Sequence, residues 1–187
     1  MTLIKASFSS LMATIFKLSY GLLVNKLLAI YGGPSGMALV GQFQSLQQSL
    51  SGLATAGFGQ GLTKYLAEFK GDVKKSSQVF STAVKLVMLV LLPLSVVLFV
   101  FSSNVSFMLF DEELYDIWIK GLSISLIPAA LGALFVAALN GLGEIRKLTL
   151  VGILSSCLGM GLTVMLVPLW GVEGVVVSLL STPFIVC

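Results

Sequence analysis

A lysine in the middle of an apolar segment is the side chain of this sequence best suited to bind an anion. Lys17 lies about ten residues from either end of segment 7–30, roughly 15 Å along a helix, too far to reach water comfortably. One stripe of polar or small residues runs along this helix at steps of three or four residues: Thr14, Lys17, Gly21 and Asn25. Because such a stripe faces protein or a watery cavity, we predict that Lys17 presents its charge to an anionic ligand. A structural lysine paired with a carboxylate or with carbonyl groups is the alternative.

A second lysine, Lys26, follows in the same segment. On a straight helix it lies on nearly the opposite face from Lys17, within a turn or so of the segment's end, where snorkelling to the interface costs little. A kink at Gly21 would turn both lysines towards one cavity. The sequence leaves both placements open, and we keep Lys17 and Lys26 as the candidate ligand-binding cations.

The next apolar segment, 37–62, is unusually rich in amide and hydroxyl side chains. Because these groups need hydrogen-bond partners in hydrocarbon, a wide face of the segment must be shielded from lipid. Bonds between helices are the commoner role of any single such residue, whereas the face as a whole suits a cavity that receives sugar hydroxyls. The side chains predicted to line this cavity are Thr14, Asn25, Gln44, Gln47, Gln48 and Ser51.

The inventory of reactive side chains argues against catalysis. The chain has no histidine and two cysteines, Cys157 and Cys187, which cannot build a Cys/His metal site or a disulfide framework. A membrane-embedded transferase would need histidine or paired acidic residues, and the acidic residues here lie in loops. We therefore predict no catalytic residues, no metal and no cofactor. The net charge of +3 is too small to indicate a nucleic-acid partner.

The composition sets the elements that must position these residues. Hydrophobic residues make up 57% of the 187 and charged residues 10%, against roughly 25% charged residues in soluble domains. Such a chain can cover only a surface that faces lipid, so we predict an all-α membrane protein. Since a helix needs roughly 20 apolar residues to cross a bilayer, the sequence predicts about six transmembrane helices, at 7–30, 37–62, 79–101, 117–139, 148–169 and 172–187.

The last predicted helix is still apolar when the sequence stops. It has only about 16 residues at that point, fewer than a crossing requires, and no polar tail follows it. We therefore predict that residues 1–187 form one transmembrane unit that is truncated in its sixth helix. A short final helix in a complete small protein is the alternative.

The charged residues predict an orientation. If the start of the chain and alternate loops lie on one side, that side holds nearly all the basic residues, and acidic residues dominate the other. Because basic loops stay in the cytoplasm, we predict a cytoplasmic amino terminus. The basic residues on this side are Lys5, Lys64, Lys70, Lys74, Lys75, Lys85, Arg146 and Lys147.

Three stretches resemble a known family. They are the opening of the chain (Lys5-Ala6-Ser7, Lys17, 21–29 and Gly33-Pro34-Ser35-Gly36), the run 56–68, and the turn 170–175. Together they are similar to the Wzx-type flippases for O-antigen and lipid III, in the multidrug/oligosaccharidyl-lipid/polysaccharide exporter superfamily. The similarity covers essentially the whole chain and is most specific from Lys5 to Glu68.

The resemblance implies a two-lobe fold that alternates access around a central cavity, with this chain as the first lobe and a carboxy-terminal lobe as its missing partner. It also implies that the substrate is an undecaprenyl-diphosphate-linked oligosaccharide, flipped across the bacterial inner membrane for O-antigen or related polysaccharide assembly. Lys17 and Lys26 match basic residues of those flippases, and a cationic cavity suits a diphosphate.

Two other functions remain as alternatives. A drug/cation antiporter of the same superfamily would need buried carboxylates for cation coupling, and the predicted helices carry none at mid-depth. A non-transporting scaffold subunit would gain nothing from a charge such as Lys17 in mid-membrane.

Overall fold

The structure is a computed structural model that describes residues 3–55, 57–110 and 115–186. The described residues form helices and short turns without a strand, which confirms the predicted all-α class. Much of the predicted acidic loop, 111–114, and the last residue of the predicted sixth helix lie outside the described residues. The helices are α1 Leu3–Tyr31, α2 Gly33–Thr55, α3 Phe58–Glu68, α4 Val73–Val100, α5 Ser102–Phe110, α6 Asp116–Leu142 and α7 Ile145–Val186.

Within the described part of the chain, three stretches of helix are long and apolar enough to cross a membrane. They are Val73–Val100, Asp116–Leu142 and Ile145–Phe184. Large apolar side chains remain exposed along them, such as Leu89 and Met165. Water would penalise such a surface and hydrocarbon would not, so the chain is an all-α membrane protein.

The longest helix, α7, folds back on itself at Gly171. The φ of Gly171 is 57° and its ψ is −127°, a conformation that is open to glycine and strained for other residues. Thr163 Oγ1 lies 3.0 Å from Ser178 Oγ, so the segments before and after Gly171 pack side by side. We call 145–170 the first arm of α7 and 172–186 its second arm. The sequence predicts helices 148–169 and 172–187 at this place.

One predicted helix, 37–62, is divided in the structure into α2 and α3. The break follows from Gly57, whose φ of 81° ends the regular helix before Phe58. Both pieces pack along α6, where the ring of Phe43 meets Trp118 edge-on at 6.2 Å and Thr63 Oγ1 donates to the Ala137 carbonyl at 3.1 Å. Phe43 precedes Thr63 along α2 and α3, and Trp118 precedes Ala137 along α6. The helices α2 and α3 therefore follow one another in the same direction along α6.

The start of α4 also differs from the sequence prediction. The helix begins at Val73 rather than at 79, because the Asp72 side chain caps it by accepting a hydrogen bond from the Lys75 N–H at 3.1 Å. After α4, the short helix α5 contacts α6 in a part of the chain for which no helix was predicted.

The core is built around α6, which contacts α2, α3, α4, α5 and α7. Ile119, Leu122 and Leu134 on this helix are fully buried. The Ser95 hydroxyl of α4 donates to the Ser123 carbonyl of α6 at 2.7 Å, a link between helices that hydrocarbon favours. The central helix therefore fixes the positions of the others, with α1 held against α7 and α2.

Candidate functional site

Lys17 lies on the side of α1 that faces the rest of the bundle. Farther along the helix, Val24 and Leu28 on this side are buried. Lys17 precedes Val24 by seven residues, close to two full turns, so the two side chains leave the helix in nearly the same direction. Its side chain is nevertheless exposed, unlike those of Val24 and Leu28. An inward-directed but accessible ammonium group is suited to meet a ligand.

A cavity of about 360 Å³ opens one turn farther along α1. It lies where α1, α2, α6 and the second arm of α7 meet. Lys17 precedes the lining residue Tyr20 by three residues, so the two side chains are neighbours on the surface of α1. Its polar lining comes from Tyr20, Gln47 and Thr182, and the rest is apolar or proline. The lining residues are Tyr20, Gln47, Pro128, Ala129, Gly132, Ala133, Val136, Leu179, Thr182 and Pro183.

Hydroxyl groups hold one wall of this cavity in place. The Tyr20 Oη and Thr163 Oγ1 atoms are 3.5 Å apart, and Thr163 Oγ1 lies 3.0 Å from Ser178 Oγ. Thr163 and Ser178 are fully buried. A Cβ added at Gly159 would come within 3.3 Å of Cζ of Tyr20, so the tyrosine ring rests on the backbone of α7. The cluster ties α1 to both arms of α7.

This hydroxyl cluster is not among the residues that the sequence predicts for the site. The sequence does contain one indication of such a cluster, because threonine and serine side chains in apolar segments need hydrogen-bond partners. Tyr20 and Thr163 are, however, 143 residues apart, and no periodicity relates them. Only the packing of α1 on α7 reveals the pair.

We expect Thr163→Val to lower the free energy of unfolding by about 1–3 kcal/mol, because the isosteric side chain cannot hydrogen-bond Ser178 or Tyr20 in a buried place. The measurement is thermal unfolding of the purified chain in detergent. Thr82→Val is the matched control, since the Thr82 hydroxyl is exposed and donates to the Gln78 carbonyl of its own helix. Equal losses in the two variants would contradict a linking role for the cluster.

The polar residues of α2 separate onto different sides of the helix. Gln47 is about 40° from the buried Phe43 and lines the cavity, whereas Gln48 is about 140° away and exposed. Gln44 and Ser51 lie between these directions and are half-buried. The structure thus brings Gln47 to the cavity beside Tyr20 and leaves Gln48 on the outer side.

The other predicted residues of α1 are distributed around Lys17. Thr14 and Asn25 are exposed, about 60° and 80° from Lys17 around the helix. Because α1 is helical without a break through Gly21, Lys26 lies about 180° from Lys17. Lys26 is exposed and is not brought together with Lys17 or with the cavity.

The ion pairs of the described residues lie outside this region. They join Lys75 to Asp72 at 3.5 Å, Lys120 to Asp116 at 2.6 Å and Lys147 to Glu144 at 3.8 Å. Among residues 3–55, 57–110 and 115–186, no carboxylate pairs with Lys17 or Lys26. The arrangement therefore places one accessible cation beside a small cavity that has hydroxyl and amide groups in its wall.

Over its whole length the chain is similar to two curated proteins named lipid III flippase, from Escherichia coli (strain K12) and Shigella flexneri. Each is 30% identical over 186 residues, which cover 100% of this chain and 45% of the relative. The chain thus spans about half the length of the relatives it matches. The predicted resemblance to lipid III flippases is confirmed. No family model matches the chain, and no solved structure matches it significantly.

Proposed function

We propose that this chain is the amino-terminal lobe of a transporter that flips undecaprenyl-diphosphate-linked oligosaccharides across the inner membrane, and that it is not an enzyme. The observation that supports this most strongly is the similarity to lipid III flippases from one end of the chain to the other. The cargo would serve assembly of O-antigen or a related surface polysaccharide, and the partner would be a carboxy-terminal lobe that supplies the rest of the cavity.

Lys17 is the group we propose to contact the diphosphate. A diphosphate that enters a membrane protein loses hydration, and a cation within reach offsets this loss. Lys17 is accessible on the inward side of α1, one turn before the cavity residue Tyr20. At about 360 Å³ the cavity is at the small end of ligand sites and would hold only part of such a molecule. Gln47 and Thr182 are the residues we propose to meet sugar hydroxyls, because both line the cavity with polar side chains.

A cytoplasmic amino terminus follows from the basic residues in this proposal. Lys70 Nζ is 3.0 Å from the position of a Cβ at Gly143, so the loop before α4 and the turn before α7 are neighbours. The start of α1 points to the same end, because Tyr20 contacts Gly159 while Gly32 contacts Val172. Three basic segments on one end are typical of the cytoplasmic side.

The test is transport by the chain together with any sequence that continues its reading frame. Proteoliposomes containing it are supplied with a fluorescent undecaprenyl-diphosphate oligosaccharide, and access from the opposite leaflet is measured with a membrane-impermeant glycan-binding reagent. We expect transfer that exceeds that of empty liposomes. Export of cationic dyes without transfer of the lipid would instead support the antiporter, and transfer of neither compound would eliminate both transport functions.

A further inference from the structure

A second concave region lies between α3 and α4, away from the cavity beside Lys17. It is an open groove of about 620 Å³ with largely apolar walls. Aromatic rings come from α3 and the residue that follows it, and aliphatic side chains come from both helices. We call it the α3–α4 groove, and its lining is Gly57, Phe58, Gly61, Leu62, Tyr65, Phe69, Gln78, Val79, Thr82, Ala83 and Leu86.

One end of the groove is basic. Lys75 lies one turn before Gln78 and Val79 on the lining side of α4, and its Nζ is 5.5 Å from the centroid of the Phe69 ring. Lys70 and Lys74 are exposed near the same end. None of the lining residues is charged, so the charge nearest this end of the groove comes from residues around its mouth.

Lys75 is free to exchange partners. Its pair with Asp72 is at 3.5 Å, and the two side chains are 60% and 44% exposed. Exposed pairs of this kind contribute little, so exchanging Asp72 for a phosphate costs Lys75 little. The mouth of the α3–α4 groove is thus available to an anionic headgroup.

The length of the groove fits one leaflet. From Lys75 to Leu86 the helix advances eleven residues, roughly 16 Å, about half of the 30 Å hydrocarbon core. A chain that starts at the basic mouth would therefore end near the bilayer centre, as a phospholipid acyl chain does. A polyprenyl chain of the length carried by the proposed cargo would extend well past the groove.

We propose that the α3–α4 groove is a binding site for an anionic phospholipid, with one acyl chain against Phe58, Leu62 and Leu86 and the phosphate at Lys75. The occupant follows from the charge at the mouth, the apolar walls and the leaflet-sized length. This site does not depend on the proposed transport function, because a chain that transports nothing would still present the groove to its bilayer. Basic residues at a membrane surface attract anionic lipids in this manner.

The test is native mass spectrometry of the purified chain in detergent, titrated with phosphatidylglycerol or with phosphatidylethanolamine of the same acyl chains. We expect phosphatidylglycerol to bind at least roughly fivefold more tightly, the factor contributed by about one basic residue at an anionic surface. Lys75→Gln should remove this preference. Lys74→Gln removes the same charge from the neighbouring position, about 100° around α4, and should retain it.

A second pair of variants tests the groove itself. Thr82→Trp places a large ring in the groove from an exposed position, and we expect it to reduce binding of both lipids roughly fivefold or more. Ser81→Trp adds the same ring from the adjacent exposed residue, directed away from the groove, and should bind as the unmodified chain does. Equal affinity for the two lipids, or equal losses in each matched pair, would overturn the proposal. So would displacement of phosphatidylglycerol by undecaprenyl phosphate at equimolar concentration, since the groove would then prefer the polyprenyl chain.

Discussion

Lys17→Ala is expected to reduce transport of the diphosphate-linked oligosaccharide at least roughly tenfold while the protein still inserts in the membrane and folds. A contact between a charged donor and an anion contributes about 1.5–3 kcal/mol, and about 1.4 kcal/mol is a factor of ten. Lys17 is exposed, so its removal leaves no cavity in the core and breaks no ion pair among the described residues. The measurement is the proteoliposome transfer assay, on the chain together with any sequence that continues its reading frame.

Three further variants show whether the effect belongs to Lys17. Lys17→Arg retains the charge and should retain most of the transport. Lys85→Ala removes an exposed lysine of α4, a helix that contributes nothing to the cavity lining, and should leave transport unchanged. Lys26→Ala should have a smaller effect than Lys17→Ala, because Lys26 lies on the opposite side of α1. Unchanged transport in Lys17→Ala would eliminate the proposed contact with the diphosphate.

Gly174→Ala, in the second arm of α7, is expected to lower the free energy of unfolding, whereas the matched change Gly161→Ala in the first arm is not. An added Cβ would contact the Leu166 carbonyl oxygen, lie 2.6 Å from the Leu166 carbonyl carbon and lie 3.0 Å from Val167 N. All three atoms are backbone of the first arm, so the two arms must move apart. Overpacking of this kind costs about 1–3 kcal/mol and occasionally more. Thermal unfolding in detergent and the yield of monodisperse protein measure the effect.

Gly161→Ala is the matched control on the other arm. A Cβ at Gly161 would meet nothing within 4 Å, and alanine favours helix by up to about 1 kcal/mol over glycine. We therefore expect an unchanged or higher unfolding temperature for this variant. If the Gly174→Ala protein were as stable as the Gly161→Ala protein, the two arms would not approach each other closely at Gly174.

The fold class and the resemblance to the flippases could be predicted from the sequence alone. In hydrocarbon every backbone polar group needs a partner within the protein, and long apolar segments satisfy this requirement as helices. Composition and segment length therefore predict the all-α membrane class. Lys17 is conspicuous in the sequence for a related reason, because a charge inside a long apolar segment is costly unless it is paired or reaches water. The turn 170–175 and the opening of the chain also carried the resemblance to the flippases.

The helix boundaries were predicted less well, for local physical reasons. The cap at Asp72 extends α4 into a charged stretch that a hydropathy criterion excludes. The left-handed conformation of Gly57 divides α2 from α3 inside the predicted segment 37–62, and hydropathy does not register a backbone dihedral angle.

Only the tertiary structure decided which polar groups meet. Helical spacing places Gln47 and Gln48 on different sides of α2, but the packing of α2 on α6 determines that the side of Gln47 is the inner one. The unbroken course of α1 leaves Lys26 opposite Lys17, where the sequence left a kink at Gly21 open. Tyr20, Thr163 and Ser178 form one cluster because α1 packs on both arms of α7. A sequence specifies the direction of each side chain around its own helix, whereas the partner on the neighbouring helix depends on how the helices are packed.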